Sequence, residues 1–233
     1  MSHPSIAALR GRIRLLERPA ARAAGVLPFG VAALDAALPE GGLALGALHE
    51  VAGGGPDVAM AASATLFVAG ILARLTRPVL WCAVSRDLFA PGLAGVGLMP
   101  ARVLHAVAPD EKHVLLAMEE ALRHRALAAV VGEVSRLPMV ASRRLVLAAE
   151  KSGVMAVALR RRSAEFAPTA AATRWCVTPL PSGMGRASWR VELLRCRGGE
   201  AAEWMMEACD AQGCLGVFAD LEHRQVGKKV LLF

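Results

Sequence analysis

Five short apolar runs, at 46–51, 78–84, 101–107, 127–133 and 154–159, alternate with four stretches of helical pattern, at 58–75, 88–97, 110–125 and 138–152. The runs are rich in Val and Leu and lack clear polar alternation, as expected of strands buried on both faces. Such strands, separated by helices, build a parallel sheet covered on both sides. This pattern sets the fold class as α/β. After Leu159 the style changes. "RRRSAEFAPTAAAT" reads as a basic loop, "RWCVTPL" and "SWRVELLRC" as strands joined by "PSGMGRA", and "EWMMEACD" with "CLGVFAD" as a hairpin turning at "DAQG". The expectation is an antiparallel C-terminal extension on a parallel core.

The first 24 residues read as an arginine-rich helix and linker, with Ile6, Leu9, Ile13 and Leu16 at helical spacing and Arg10, Arg12, Arg14 and Arg18 between them. The core then spans 25–197, and a hairpin with a basic tail spans 198–233. The N-terminal stretch is too charged for a secretory signal. The apolar run Val58 to Ala73 has 16 residues, short of the roughly 18 of a membrane-spanning helix. It reads as a core helix, and the chain as cytoplasmic with no membrane partner. With no tyrosine and 4% aromatic residues, an aliphatic core is expected. Five dispersed cysteines, Cys82, Cys176, Cys196, Cys209 and Cys214, contain no C-x-x-C pair. They read as reduced packed thiols, with no zinc pattern.

The formal charge is +7, and only four of the 27 basic residues are lysines. An arginine-heavy surface suits phosphate or carboxylate partners. A base-composition bias produces the same count.

"HEVAGGGPDVAMAASATLF" has the form of a strand, a glycine-rich turn and a helix, the place where many α/β proteins hold phosphate. A working phosphate loop reads G-x-x-x-x-G-K-[ST]; its N–H groups and lysine hold phosphate and its hydroxyl holds magnesium. With Gly53 as the first glycine, Val58 stands at the second glycine, Ala59 at the lysine and Met60 at the hydroxyl. Pro56 has no N–H to donate. Asp57 brings negative charge toward phosphate, a repulsion of roughly 1 kcal/mol at about 4 Å even in water. Two strand ends complete the test. "LAAVVGE" offers Glu133, displaced behind Gly132, where a metal-holding acid would stand. "PVLWCAV" is followed by Ser85 and Arg86, where an acid would orient attacking water. No dinucleotide, serine-hydrolase, zincin or kinase motif is present. His49 and Glu50 are adjacent in a strand and so point to opposite faces, which makes them structural groups rather than an acid–base pair. The chain therefore reads as non-enzymatic, with no catalytic, cofactor or metal residues.

"LPFGVAALDAALPEGGLALGALHEV" resembles the segment leading into the ATP site of RecA-type recombinases. "VLWCAVSRDLFAPGLAGVGLMPARVLHAV" followed by "EEALRHRALAAVVGEV" resembles the ImuA family, RecA/SulA-related bacterial proteins of SOS mutagenesis, over roughly residues 5–220. The resemblance implies a RecA-like sheet without ATPase chemistry. It also implies partners: an ImuB-like adaptor and an error-prone DnaE-type polymerase, acting in translesion DNA synthesis. An ATP-dependent recombinase-like enzyme and a SulA-like cell-division inhibitor are the alternatives.

Three segments are candidate interfaces. The loop after strand 154–159 offers Arg160, Arg161, Arg162 and Phe166 as DNA contacts, with arginines for phosphate and an aromatic ring for stacking. Arg143 and Arg144 add charge nearby. The N-terminal helix is a candidate for self-association. The C-terminal strands offer Trp204, Met205 and Met206 as a partner contact at a sheet edge. For each the plainer role is available: a solvated basic turn, or packing on the chain's own core.

Overall fold

The computed structural model describes residues 24–55, 58–161, 167–182 and 185–217. The N-terminal helix, Pro56, Asp57, Arg162, Phe166 and the C-terminal tail lie outside them. A small two-stranded sheet pairs β1 (Val26–Leu27) with β2 (Leu43–Ala44) around the short helix α1 (Ala32–Asp35).

The main sheet contains β3 (Leu48–Gly53), β4 (Val79–Ala83), β5 (Val103–Val107), β6 (Ala129–Val134), β7 (Met155–Arg160), β8 (Thr173–Leu180), β9 (Ser188–Cys196), β10 (Ala202–Glu207) and β11 (Gly216–Val217). Their spatial order is β11-β10-β9-β8-β3-β7-β6-β4-β5. All five apolar runs are parallel strands. "RWCVTPL" is a sixth: β8 runs parallel to β3, and the antiparallel extension begins with β9, one strand later than the sequence suggests.

The helices are α2 (Val58–Ala73), α3 (Ala90–Gly95), α4 (Glu111–Ala121) and α5 (Met139–Ser152). Asp110 caps α4 by accepting from the His113 N–H at 2.9 Å, and Gly153 ends α5 in the left-handed conformation. Helices α4 and α5 cover one face of the sheet with an aliphatic layer that includes Leu48, Val130, Met118 and Leu145. The other face lies under α2 and is not purely aliphatic. Phe29, Phe67, Trp175 and Trp189 cluster there, with ring centroids 5.5–6.5 Å apart. The expected aliphatic core thus holds for one layer only. The few aromatic residues are concentrated where α2, whose inner side carries Ala64, Ala69 and Gly70, leaves room for large rings. Gly70 also admits the C-terminal segment, since a Cβ there would overlap the Cys209 thiol. All five cysteines are unpaired thiols, and burial pushes Cys82 up to about 11 and Cys209 up to about 12.

Candidate functional site

The carboxyl ends of β3, β4, β6 and β7 meet at one end of the sheet, where open α/β folds bind their ligands. Strand β3 ends at Gly53 and α2 begins at Val58, so the strand–turn–helix geometry is kept. Its groups are turned to internal packing. The Gly54 N–H donates to the Val177 carbonyl at 3.1 Å, extending the β3–β8 pairing. A Cβ on Gly53 would overlap the Met60 carbonyl, and one on Gly54 would overlap the Thr178 hydroxyl. Glycine is therefore needed here for close contact between protein groups. Val58 is 86% exposed and Ala59 is also exposed. Neither side chain has a group that can bind phosphate or metal.

Beside this turn, five side chains from three strand ends form a closed network on the α2 face. Glu133 is buried, accepts from Trp81 Nε1 at 2.7 Å, and pairs with Arg161 Nε. Arg161 also holds Asp87 with both terminal nitrogens, at 2.7 and 2.6 Å, and Ser85 donates to Asp87 at 2.8 Å. The bidentate contact and the Ser85 hydroxyl hold the Asp87 carboxyl well below the usual carboxylate range. Ser85 and Arg86 stand at the strand end where an acid would orient water. The acid of this loop is one residue further on, and its "SRD" spacing was the available signal. What no local pattern disclosed is that Arg161, 74 residues away, supplies the cation between the two carboxylates.

A second network lies on the opposite face. Glu50 is fully buried and receives Arg160 Nη1 at 2.5 Å, Arg174 Nε at 2.9 Å and the Thr169 hydroxyl at 3.0 Å. Arg160 Nε also donates to the Ser135 carbonyl at 3.0 Å. His49 points the other way, as strand alternation requires. Its Nε2 lies 2.8 Å from the Ala44 carbonyl and its Nδ1 2.7 Å from the Thr173 hydroxyl. A carbonyl only accepts, so Nε2 carries the proton and Nδ1 accepts from Thr173. Thr173 in turn accepts from Trp175 Nε1 at 2.7 Å. Burial lowers the His49 pKa to about 4, partly opposed by the bond to Ala44. The ring is neutral and structural.

The candidate contacts are thus sorted. Arg160 is 4% exposed and faces Glu50, so it does not belong to a basic surface. It ends a strand buried on both faces, and its alternation turns it inward. Arg161 is exposed but committed to Asp87 and Glu133. Arg144 pairs with Glu119 at 2.7 Å, while Arg143 is exposed. Trp204 packs 6.3 Å from Trp175, and Met206 is buried in the same layer. Met205, on the other side of β10 opposite Arg190, is half-buried. Among the described residues no three His, Cys, Asp or Glu side chains group as metal ligands, and no helix is long and apolar enough to cross a membrane.

The chain is 40% identical over 206 residues to Protein ImuA of Caulobacter vibrioides strain NA1000 / CB15N, a match covering 80% of this chain and 84% of that protein. The chain belongs to the ImuA family. Protein ImuA of C. vibrioides strain ATCC 19089 matches to the same extent. No family model matches the chain. A crystal structure of the RadB recombinase superposes with a TM-score of 0.60 at 18% identity, over 82% of this chain and 99% of that one. The fold is RecA-like, with a mostly parallel sheet and antiparallel C-terminal strands.

Proposed function

We propose that this ImuA-family chain is a non-catalytic RecA-like accessory protein of error-prone translesion DNA synthesis in SOS-induced mutagenesis. It acts in the cytoplasm through an ImuB-like adaptor and a DnaE-type polymerase, with DNA as a further ligand. The observation that carries the reading is the phosphate turn: Val58, Ala59 and Met60 hold its ligand positions, and Gly54 spends its N–H on Val177. Family membership supports the mutagenesis setting. Of the C-terminal candidates, Met205 and the edge strand β11 keep exposed surface for the adaptor, with Val217 57% exposed.

Two measurements test this. A tagged chain should retain the adaptor on co-purification, and a truncation ending before Arg197 should lose it. Titration with a fluorescent ATP analogue and magnesium should give no saturable binding. Tight magnesium-dependent binding would restore the recombinase-like enzyme, and capture of a cell-division protein in place of the adaptor would favour the SulA-like alternative.

A further inference from the structure

At the opposite end of the sheet, the chain enters β4, β6 and β7 from the C-termini of α2, α4 and α5. Three turns, 74–78, 122–128 and 151–154, lie side by side there. They are tied together by arginines. Arg102, in the 3-10 turn before β5, donates to the carbonyls of Ala73 and Arg77, both at 3.0 Å. Arg77 Nη1 donates to the Arg125 carbonyl at 2.5 Å, and Arg125 Nη2 to the Lys151 carbonyl at 3.3 Å. Each guanidinium holds the main chain of the next basic residue, so the turns converge and carry their side chains with them.

The acceptors decide what such an array can do. A guanidinium paired with a carboxylate is neutralised, whereas one bonded to a carbonyl keeps its whole charge. The three turns contain no Asp or Glu. Of the acids close by in sequence, Glu119 and Glu120 pair with Arg123 and Arg144, and Glu150 lines a cavity of about 310 Å³ beside His49; Asp35, which faces Arg74, accepts from the Phe29 and Gly30 N–H groups. The helix C-termini offset about half a charge each. Arg77, Arg125, His124 and Lys151 are all exposed, and the exposed residues of these turns include no large apolar side chain. A protein interface draws its centre from aromatic and Met residues. A row of exposed cations, Arg77, Arg125 and Lys151, without them matches a phosphate backbone.

We propose that this arginine-stapled pole is the nucleic-acid contact of the protein, recognising phosphates without reading sequence. The proposal rests on DNA being a ligand, and it places that ligand away from Arg160 and Arg161, which are paired with carboxylates.

The test is fluorescence anisotropy of a fluorescein-labelled oligothymidine with the full chain over a range of salt. Arg77→Gln/Arg125→Gln/Lys151→Gln should weaken binding by about tenfold or more and reduce the salt slope by about 0.7 for each lost contact. His124→Glu/Lys151→Glu alters no staple, because the Lys151 link uses only its carbonyl, and should weaken binding with the fold intact. Arg136→Gln/Arg143→Gln, on exposed residues flanking and within α5, should bind as wild type. Wild-type binding that both pole variants retain overturns the surface and leaves the DNA reading standing. No wild-type binding removes both, without touching adaptor binding. Tighter binding of polyglutamate than of oligothymidine assigns the pole to an acidic protein and overturns the proposal.

Discussion

The two ends of the parallel sheet use the same residue to opposite effect. Where β4, β6 and β7 finish, Arg161 sits between Asp87 and Glu133; at the other end Arg77, Arg102 and Arg125 hold only carbonyls. Both arrangements fix loops in place. The first also cancels charge, and the second preserves it. The difference shows how a chain of net charge +7 can neutralise one arginine with two carboxylates and leave others without a carboxylate partner. A nucleotide-hydrolysing protein would bring a metal ion to acids at those strand ends. Here Arg161, the residue after β7, pairs with both carboxylates. Counting arginines does not separate the two cases; only their acceptors do.

The largest effect is expected where charge is most deeply cancelled. Glu50→Gln removes the carboxylate shared by Arg160 and Arg174 in a fully buried setting. A loss of about 3–5 kcal/mol in urea unfolding is expected. A loss below about 1 kcal/mol would mean that water reaches the cluster and that the two ends differ little in how deeply their charge is cancelled.

Acid should separate the ends next. The folded-state pKa of His49 is lowered to about 4 from 6.5, so the unfolded chain takes up the proton first as pH falls. Its contribution is complete above about 6.5 and is lost on descending to about 4, a total of about 3 kcal/mol at about 1.4 kcal/mol per unit. The Asp87 carboxylate is displaced downward, so the Arg161 clamp persists through that window and is lost only in stronger acid. Urea midpoints at pH 7 and pH 4.5 should differ for the wild type, and the difference should shrink in His49→Gln. Smaller again is Arg161→Gln, at about 1–3 kcal/mol, because Glu133 keeps only Trp81 as partner while Asp87 remains hydrated. If Arg161→Gln also gains magnesium-dependent ATP-analogue binding, the arginine blocks a competent site, and the phosphate turn can hold a nucleotide.

The sequence exposed the elements well, because both-face burial leaves a continuous apolar run. Strand 154–159 is observed as Met155–Arg160, and helix 138–152 as Met139–Ser152. It also puts Val58, Ala59 and Met60 at the turn's ligand positions, residues chemically unlike what a phosphate site requires. It misled at Arg160, where three consecutive arginines look like surface. Strand alternation sends the first of them inward to Glu50, a partner 110 residues away. The arginine pole was equally hidden. Arg77, Arg102, Arg125 and Lys151 are scattered over 75 positions and meet only because three helices end at one level of the sheet.

The smallest predicted effect bears most directly on the uncancelled end. Lys151 lies in the last turn of α5, where a cation gains about 0.3–1 kcal/mol from the helix carbonyls. It also stands beside Arg125, whose like charge repels it, and both contributions are screened by salt. The two oppose each other, so Lys151→Ala should change unfolding free energy by less than about 0.5 kcal/mol at any salt concentration. Stabilisation beyond about 1 kcal/mol at low salt, fading as salt is added, would show that repulsion outweighs the helix carbonyls. The pole would then hold cations at a cost to folding, which an anionic ligand would relieve. Destabilisation of the same size would make Lys151 a helix-terminal residue first, and the pole's charge a by-product of closing three helices at one end.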